Sequence, residues 1–188
     1  MNDSVVRFDQ NDVIQNNADQ GIGAVNGSLV SLGSTTIQGH NWNGISLKSG
    51  SHLQIRGPAH IRENGILCPH DTALLVSLSQ ACGGISAADN STLDLRGGTV
   101  SDNQGAGISV RQATTVGLIG ATVSNNSGDG VHIQWISIGN FGPDNTITGN
   151  GGASVSCDER SLAIGNLKVS PTSSAGRTNS RTGQEPKR

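Results

Sequence analysis

Aromatic side chains are almost missing from this chain of 188 residues: two Phe, two Trp and no Tyr, 2% in all. Ordinary globular interiors draw much of their bulk from such rings, so a core of that kind is excluded. Charge is scarce as well, with 14% Asp, Glu, Lys and Arg and a formal net charge of −2. The basic residues before position 167 are scattered. Phosphate binding needs a concentrated positive face, so nucleic acid is not the expected partner. No stretch approaches the roughly 18 consecutive apolar residues of a membrane-spanning helix. The opening Met-Asn-Asp-Ser-Val-Val-Arg-Phe lacks the positive region and apolar run of a signal peptide. Cysteine is limited to Cys68, Cys82 and Cys157, which cannot all pair within one chain.

What is present points to many short strands. Glycine numbers 27, and Asn and Ser recur throughout; strands built from Val, Ile and Leu with corners of Gly and Asn suit this mixture. A motif carries a repeat: Gly-Ile-Gly-Ala at 21–24, Gly-Ile-Ser-Leu at 44–47, Gly-Ile-Ser-Ala at 84–87, Gly-Ile-Ser-Val at 107–110 and Gly-Val-His-Ile at 130–133, then a weaker Gly-Ala-Ser-Val at 152–155. From Ile22 to Ile45 is 23 residues, from Ile45 to Ile85 is 40, and from Ile85 to Ile108 and on to Val131 is 23 each time. The long step is an ordinary one plus 17 inserted residues (40 − 23). A fixed period of this size is the signature of a solenoid, whose units bury their apolar faces only against one another.

Aligned on the motif, each unit offers three short strands. The first carries the inward pairs Ile22/Ala24, Ile45/Leu47, Ile85/Ala87, Ile108/Val110, Val131/Ile133 and Ala153/Val155, with Gly23, Ser46, Ser86, Ser109, His132 and Ser154 outward. The second carries Val30/Leu32, Leu53/Ile55, Leu93/Leu95, Val116/Leu118, Ile136/Ile138 and Leu162/Ile164. The third holds one apolar position: Ile14, Ile37, Ile61, Val100, Val123 and Ile147. The sequence therefore predicts an all-β parallel coil of about six turns of roughly 23 residues. Three residues beyond the third-strand position stand Asn17, His40, Asn64, Asn103, Asn126 and Asn150. Asparagine tolerates the left-handed backbone of a sharp corner and bonds the amide stacked one turn away. This column is expected to be a structural ladder, with His40 a substituted corner residue.

The units Val-Ser-Asp-Asn-Gln-Gly-Ala-Gly-Ile-Ser-Val at 100–110 and Val-Ser-Asn-Asn-Ser-Gly-Asp-Gly-Val-His-Ile at 123–133 resemble right-handed parallel β-helix repeats. Pectate-lyase-like proteins and many uncharacterised exported bacterial proteins share them. The resemblance implies a right-handed coil over 13–166, after an irregular segment at 1–12 and before a disordered tail at 167–188, where apolar residues nearly vanish. It also implies a protein that is secreted, periplasmic or at the cell surface in its full-length form, of which this chain is a piece. The insertion at 66–83 is expected to leave the coil as a loop and fold back over it through Leu74–Leu78. Cys68 and Cys82 bracket it: a disulfide in an oxidising compartment, or buried thiols in a reducing one.

Enzymes on this scaffold attack acidic polysaccharides. The Asn-Thr-Asp, Asp-Asp and Gly-His-Gly motifs of its hydrolases do not occur here, and no catalytic residue is assigned. Glu63 and Asp102 fall in stacked positions and are the pair most suited to calcium; otherwise they splay into solvent. Arg56 and Arg96 stack on the outward face, where two guanidinium forks would suit successive sugar carboxylates, unless Gln54 and Asp94 engage them. Arg111 and His132 are further carbohydrate-binding candidates. The expected function is a non-catalytic module presenting a flat face to polysaccharide or a partner. The alternatives are a fragment of an acidic-polysaccharide lyase, epimerase or hydrolase, and a spacer or adhesin stalk.

Overall fold

The computed structural model describes residues 4–68 and 82–166; most of the insertion expected at 66–83, with its Leu74–Leu78 stretch, and the tail expected at 167–188 lie outside the described residues. Seventeen strands and no helix make up the described chain, and every pairing is parallel between successive turns. One sheet has six strands, β16-β13-β10-β7-β4-β2, each three to five residues long, from β2 at Ile22–Ala24 to β16 at Val155–Cys157. The other has eleven. It combines the second and third faces of the coil because β3 (Leu29–Gln38) runs unbroken through the corner between them. β3 thus pairs with both β5 (His52–Ile55) and β6 (His60–Arg62). The fold is an all-β parallel solenoid of about six turns, consistent with the right hand that parallel strand–crossover–strand connections adopt.

The aliphatic core is a stack: Ile45, Ile85, Ile108 and Val131 lie in register, as do Leu53, Leu93 and Val116, and Ile37, Ile61, Val100 and Val123. All are buried. Each turn closes its apolar faces on those above and below, which offsets the scarcity of aromatics.

Four sequence expectations are corrected. The segment at 1–12 is not irregular: β1 runs Val5–Gln15 alongside β3, with one register shift between Gln10 and Asp12, and packs Phe8 and Ile14 on the core. The coil thus begins before residue 13. In the fifth turn Ile136 and Ile138 face out, 64% and 39% exposed, and Gly139 and Phe141 align with Val116 and Leu118 instead. A three-residue step from Ile133 to Ile136 is too short to turn the corner that Val110 and Val116 turn in six. In the sixth turn Ala163 and Gly165 take those positions, leaving Leu162 and Ile164 outside.

The last turn has also moved by one. Val155 and Cys157, not Ala153 and Val155, align with Val131 and Ile133. The corner Gly142–Asn145 holds one residue more than Ile119–Ala121, so the repeat there is 24 (Thr122 to Thr146). Asn145 accommodates the extra residue. Its Oδ1 accepts from the Ala121 N–H at 3.0 Å, and its Nδ2 donates to the Leu118 and Gly142 carbonyls at 2.9 and 2.8 Å.

Inside the corner, Nδ2 of Asn64, Asn103 and Asn126 donates to Oδ1 of the next Asn at 3.0, 2.8 and 2.9 Å. The same Oδ1 accepts the preceding backbone N–H. The left-handed backbone lies one residue earlier than expected, at Asn16, Gly39, Glu63, Asp102, Asn125 and Gly149. Ladder residues are thus free to turn inward. They also explain the motif glycine. A Cβ on Gly107 would stand 2.7 Å from the Asn126 amide and 2.8 Å from the Gly130 carbonyl.

Candidate functional site on the six-stranded sheet

The outer face of this sheet is where polar chemistry gathers. Its three-residue strands place one side chain outward per turn, giving a row of Gly23, Ser46, Ser86, Ser109, His132 and Ser156. Small side chains keep the row low while longer ones rise at each border. A cleft of about 320 Å³ crosses it. Ser46 and Ser86 line its floor, Asp19, Gln20, Trp42 and Asn43 come from the corners before the strands, and Lys48 and Arg111 from just after them.

Arg111 is the unusual member. It is only 5% exposed, and its Nε–H has no hydrogen-bond partner. Burial lowers its pKa, against the opposing attraction of Asp89, yet a guanidinium stays charged in proteins. A buried donor without an acceptor is costly, so the position favours an incoming anion or carbonyl. Lys48 adds a second positive charge, and Trp42 a ring face of the kind that packs on apolar sugar faces or cations.

At the far end of the row, His132 is not the lone histidine its neighbours in sequence suggest. Its Nδ1 lies 2.7 Å from Asp129 Oδ2, which also accepts from the Ser156 hydroxyl at 2.5 Å, while Oδ1 accepts the Ala153 N–H at 2.8 Å. Burial alone would raise the Asp129 carboxyl; these donors outweigh it and hold the pKa below the usual carboxylate value. With Nδ1 so occupied, Nε2 is the free nitrogen. The i, i+3 spacing of Asp129 and His132 across a corner is the signal in the sequence that marks this pair.

The other expected residues lie elsewhere. Arg56 and Arg96 do stack, but on the eleven-stranded sheet, away from the cleft. Arg56 Nε donates to Gln54 at 3.2 Å and Arg96 Nε to Asp94 at 3.1 Å. Glu63 and Asp102 occupy equivalent corner positions in adjacent turns, and Glu63 pairs with Arg62 at 2.9 Å on exposed surface. Among the described residues, no three His, Cys, Asp or Glu side chains converge as metal ligands would. Cys68 and Cys82 form a disulfide, with Cα atoms 5.7 Å apart. Cys157, half-buried on the core side, has its thiol pKa raised by burial and by Asp158. The chain matches no protein-family profile, no curated protein sequence and no solved structure. Function is therefore argued from the site alone.

Proposed function

We propose that the chain is an exported binding module that holds an acidic polysaccharide segment in the cleft on the six-stranded sheet. One observation carries this reading: a guanidinium 95% buried, with an unpartnered Nε–H, lining a polar cleft beside Lys48 and Trp42. A sugar carboxylate would satisfy the orphaned donor and the ring would pack on a pyranose face. Export is supported by the Cys68–Cys82 disulfide, a bond that persists in oxidising compartments.

Calorimetric titration with oligogalacturonate and oligoalginate tests the reading. Binding should weaken about tenfold or more in Arg111→Gln and in Trp42→Ala, and stay unchanged in Arg56→Gln. A neutral glucan should not compete. Absence of binding, or binding unmoved by Arg111→Gln, overturns it and leaves the spacer reading. A second reading, cleavage of the bound chain, draws on the Asp129–His132 pair, in which a carboxylate orients an imidazole as in general-base dyads. Release of unsaturated or reducing ends, abolished by His132→Ala, would establish it.

A further inference from the structure

We propose that His40 is a proton-operated latch: it ties the first corner of the coil to the turns below and, on acidification, releases that corner and the cleft wall it carries. The geometry is that of a residue doing an amide's work with a ring that titrates. Nδ1 accepts the Asn17 N–H at 3.1 Å, and Nε2 lies 3.2 Å from the Ile14 carbonyl, which requires Nε2 to carry the hydrogen. The His40 N–H donates in turn to Asn64 Oδ1 at 3.2 Å. The four Asn residues that follow in the column make equivalent bonds with a group that does not titrate in water. No part of His40 is exposed.

Protonation leaves both ring nitrogens as donors. Nδ1–H would then point at the Asn17 N–H, donor against donor, with a positive charge sealed from water. Burial lowers the His40 pKa, and the bond to Ile14 opposes that only in part. The groups touching the ring are neutral: Ile14 and Asn17 from the first turn, Gly21 from the next corner and Asn64 from below. The ionisable residues nearest on those elements are Asp12, Asp19, Arg62 and Glu63; none bonds the ring, and Glu63 is committed to Arg62. Because the folded pKa lies below the unfolded 6.5, the opened state takes up the proton first. The latch is fully closed above about pH 6.5 and loosens as pH falls towards the folded value.

The corner it holds carries Asp19 and Gln20 of the cleft. It rests on the next turn through Asn41 N–H to Asn17 O and Trp42 N–H to Asp19 O, both 3.2 Å, and through Gly21 N–H to Asn43 O at 3.0 Å. These bonds are at the coil surface, whereas the ring bond anchors the same corner from inside. The amide ladder from Asn64 to Asn150 keeps the remaining turns closed.

The test uses the full chain with Trp135→Phe, so that Trp42 is the sole reporter of the two tryptophans. Nitrogen-15 spectra at about pH 8 should show the Nε2–H tautomer of His40. Between about pH 6.5 and pH 4.5 the Trp42 emission should shift in one step, and protection of the Asn17 amide should fall about tenfold beyond the intrinsic change of exchange with pH. The far-ultraviolet spectrum should stay constant. His40→Asn should remove both changes. An Nδ1–H tautomer, an Asn17 amide protected throughout, or a Trp42 transition that survives His40→Asn would overturn the latch. If that variant does not fold, the tautomer and the amide protection of the otherwise native chain decide. A tenfold loss of saccharide affinity near pH 5 is the expected functional consequence, and it alone rests on the binding reading above. Titration at neutral pH tests that reading without touching the latch.

Discussion

Asn126 shows what one corner residue does here. Its Oδ1 accepts from both the backbone N–H and the Nδ2 of Asn103, and its Nδ2 donates to Asn150 and to the Val100 carbonyl. Asn126→Ala leaves several buried groups without partners, at roughly 1–3 kcal/mol for each before relaxation. Chemical denaturation should register a loss of about 2–4 kcal/mol in all. Ser109 is also buried, but its hydroxyl makes none of the ladder's bonds; Ser109→Ala should cost about 0.5 kcal/mol or less. Comparable losses at the two sites would refute the ladder's structural role. At Asp129 the folded pKa lies below its unfolded value, so its contribution is present above about pH 4 and disappears as pH falls through the folded pKa. In Asp129→Asn that acid-limb loss of stability should be smaller, as pH-dependent melting would show.

Element by element, spacing outranks hydropathy. β14 (Ile138–Phe141) puts Gly139 and Phe141 inward although isoleucines lie at 136 and 138, because the corner after β13 consumes the same number of residues in each turn. The large Phe141 ring fills the volume that Gly139 leaves; a Cβ on Gly139 would stand 2.7 Å from it. Phe141→Ala should therefore destabilise by about 3–5 kcal/mol, whereas Ile138→Thr should change stability by about 0.5 kcal/mol or less. Thermal melts of the two variants check this, and a larger loss for Ile138→Thr would restore the register read from hydropathy. A second polar column escaped the sequence reading: Ser51, Ser91, Thr114 and Ser137 lie buried at the corner before the second strand. Their signal was a hydroxyl one residue ahead of each such strand. Single serines in a serine-rich chain do not stand out until the turns are stacked.

For the molecule as a whole, stability is a sum over neighbouring turns, so damage in the middle should propagate. Ile108 touches the turns on both sides of it through β10 (Ala106–Val110). Ile108→Asp inserts an unpaired charge into the stack and should abolish cooperative unfolding in circular dichroism melts. The Cys68–Cys82 bridge closes a loop of 14 residues of sequence separation. Replacing both cysteines with alanine should lower stability by about 3 kcal/mol, by the loop-closure estimate, without changing the fold. A pair of variants indistinguishable from the parent in denaturant midpoint would show that the bridge constrains nothing.

Fold class, turn number and inward columns of the first four turns could be read from the sequence because parallel stacking repeats the same local environment every 23 residues, and a repeated environment selects repeated residue types. The amide ladder was legible for the same reason. The site was not. Asp19, Trp42, Lys48 and Arg111 stand in different turns and share no motif; they meet only because parallel register places one corner over the next. That Arg111 is buried while Arg56 is exposed, and that His132 has Asp129 for a partner, depends on which border of the sheet each residue occupies. Composition determined that this chain coils; the register and the one-residue longer corner at Gly142–Asn145 decided which side chains face each other.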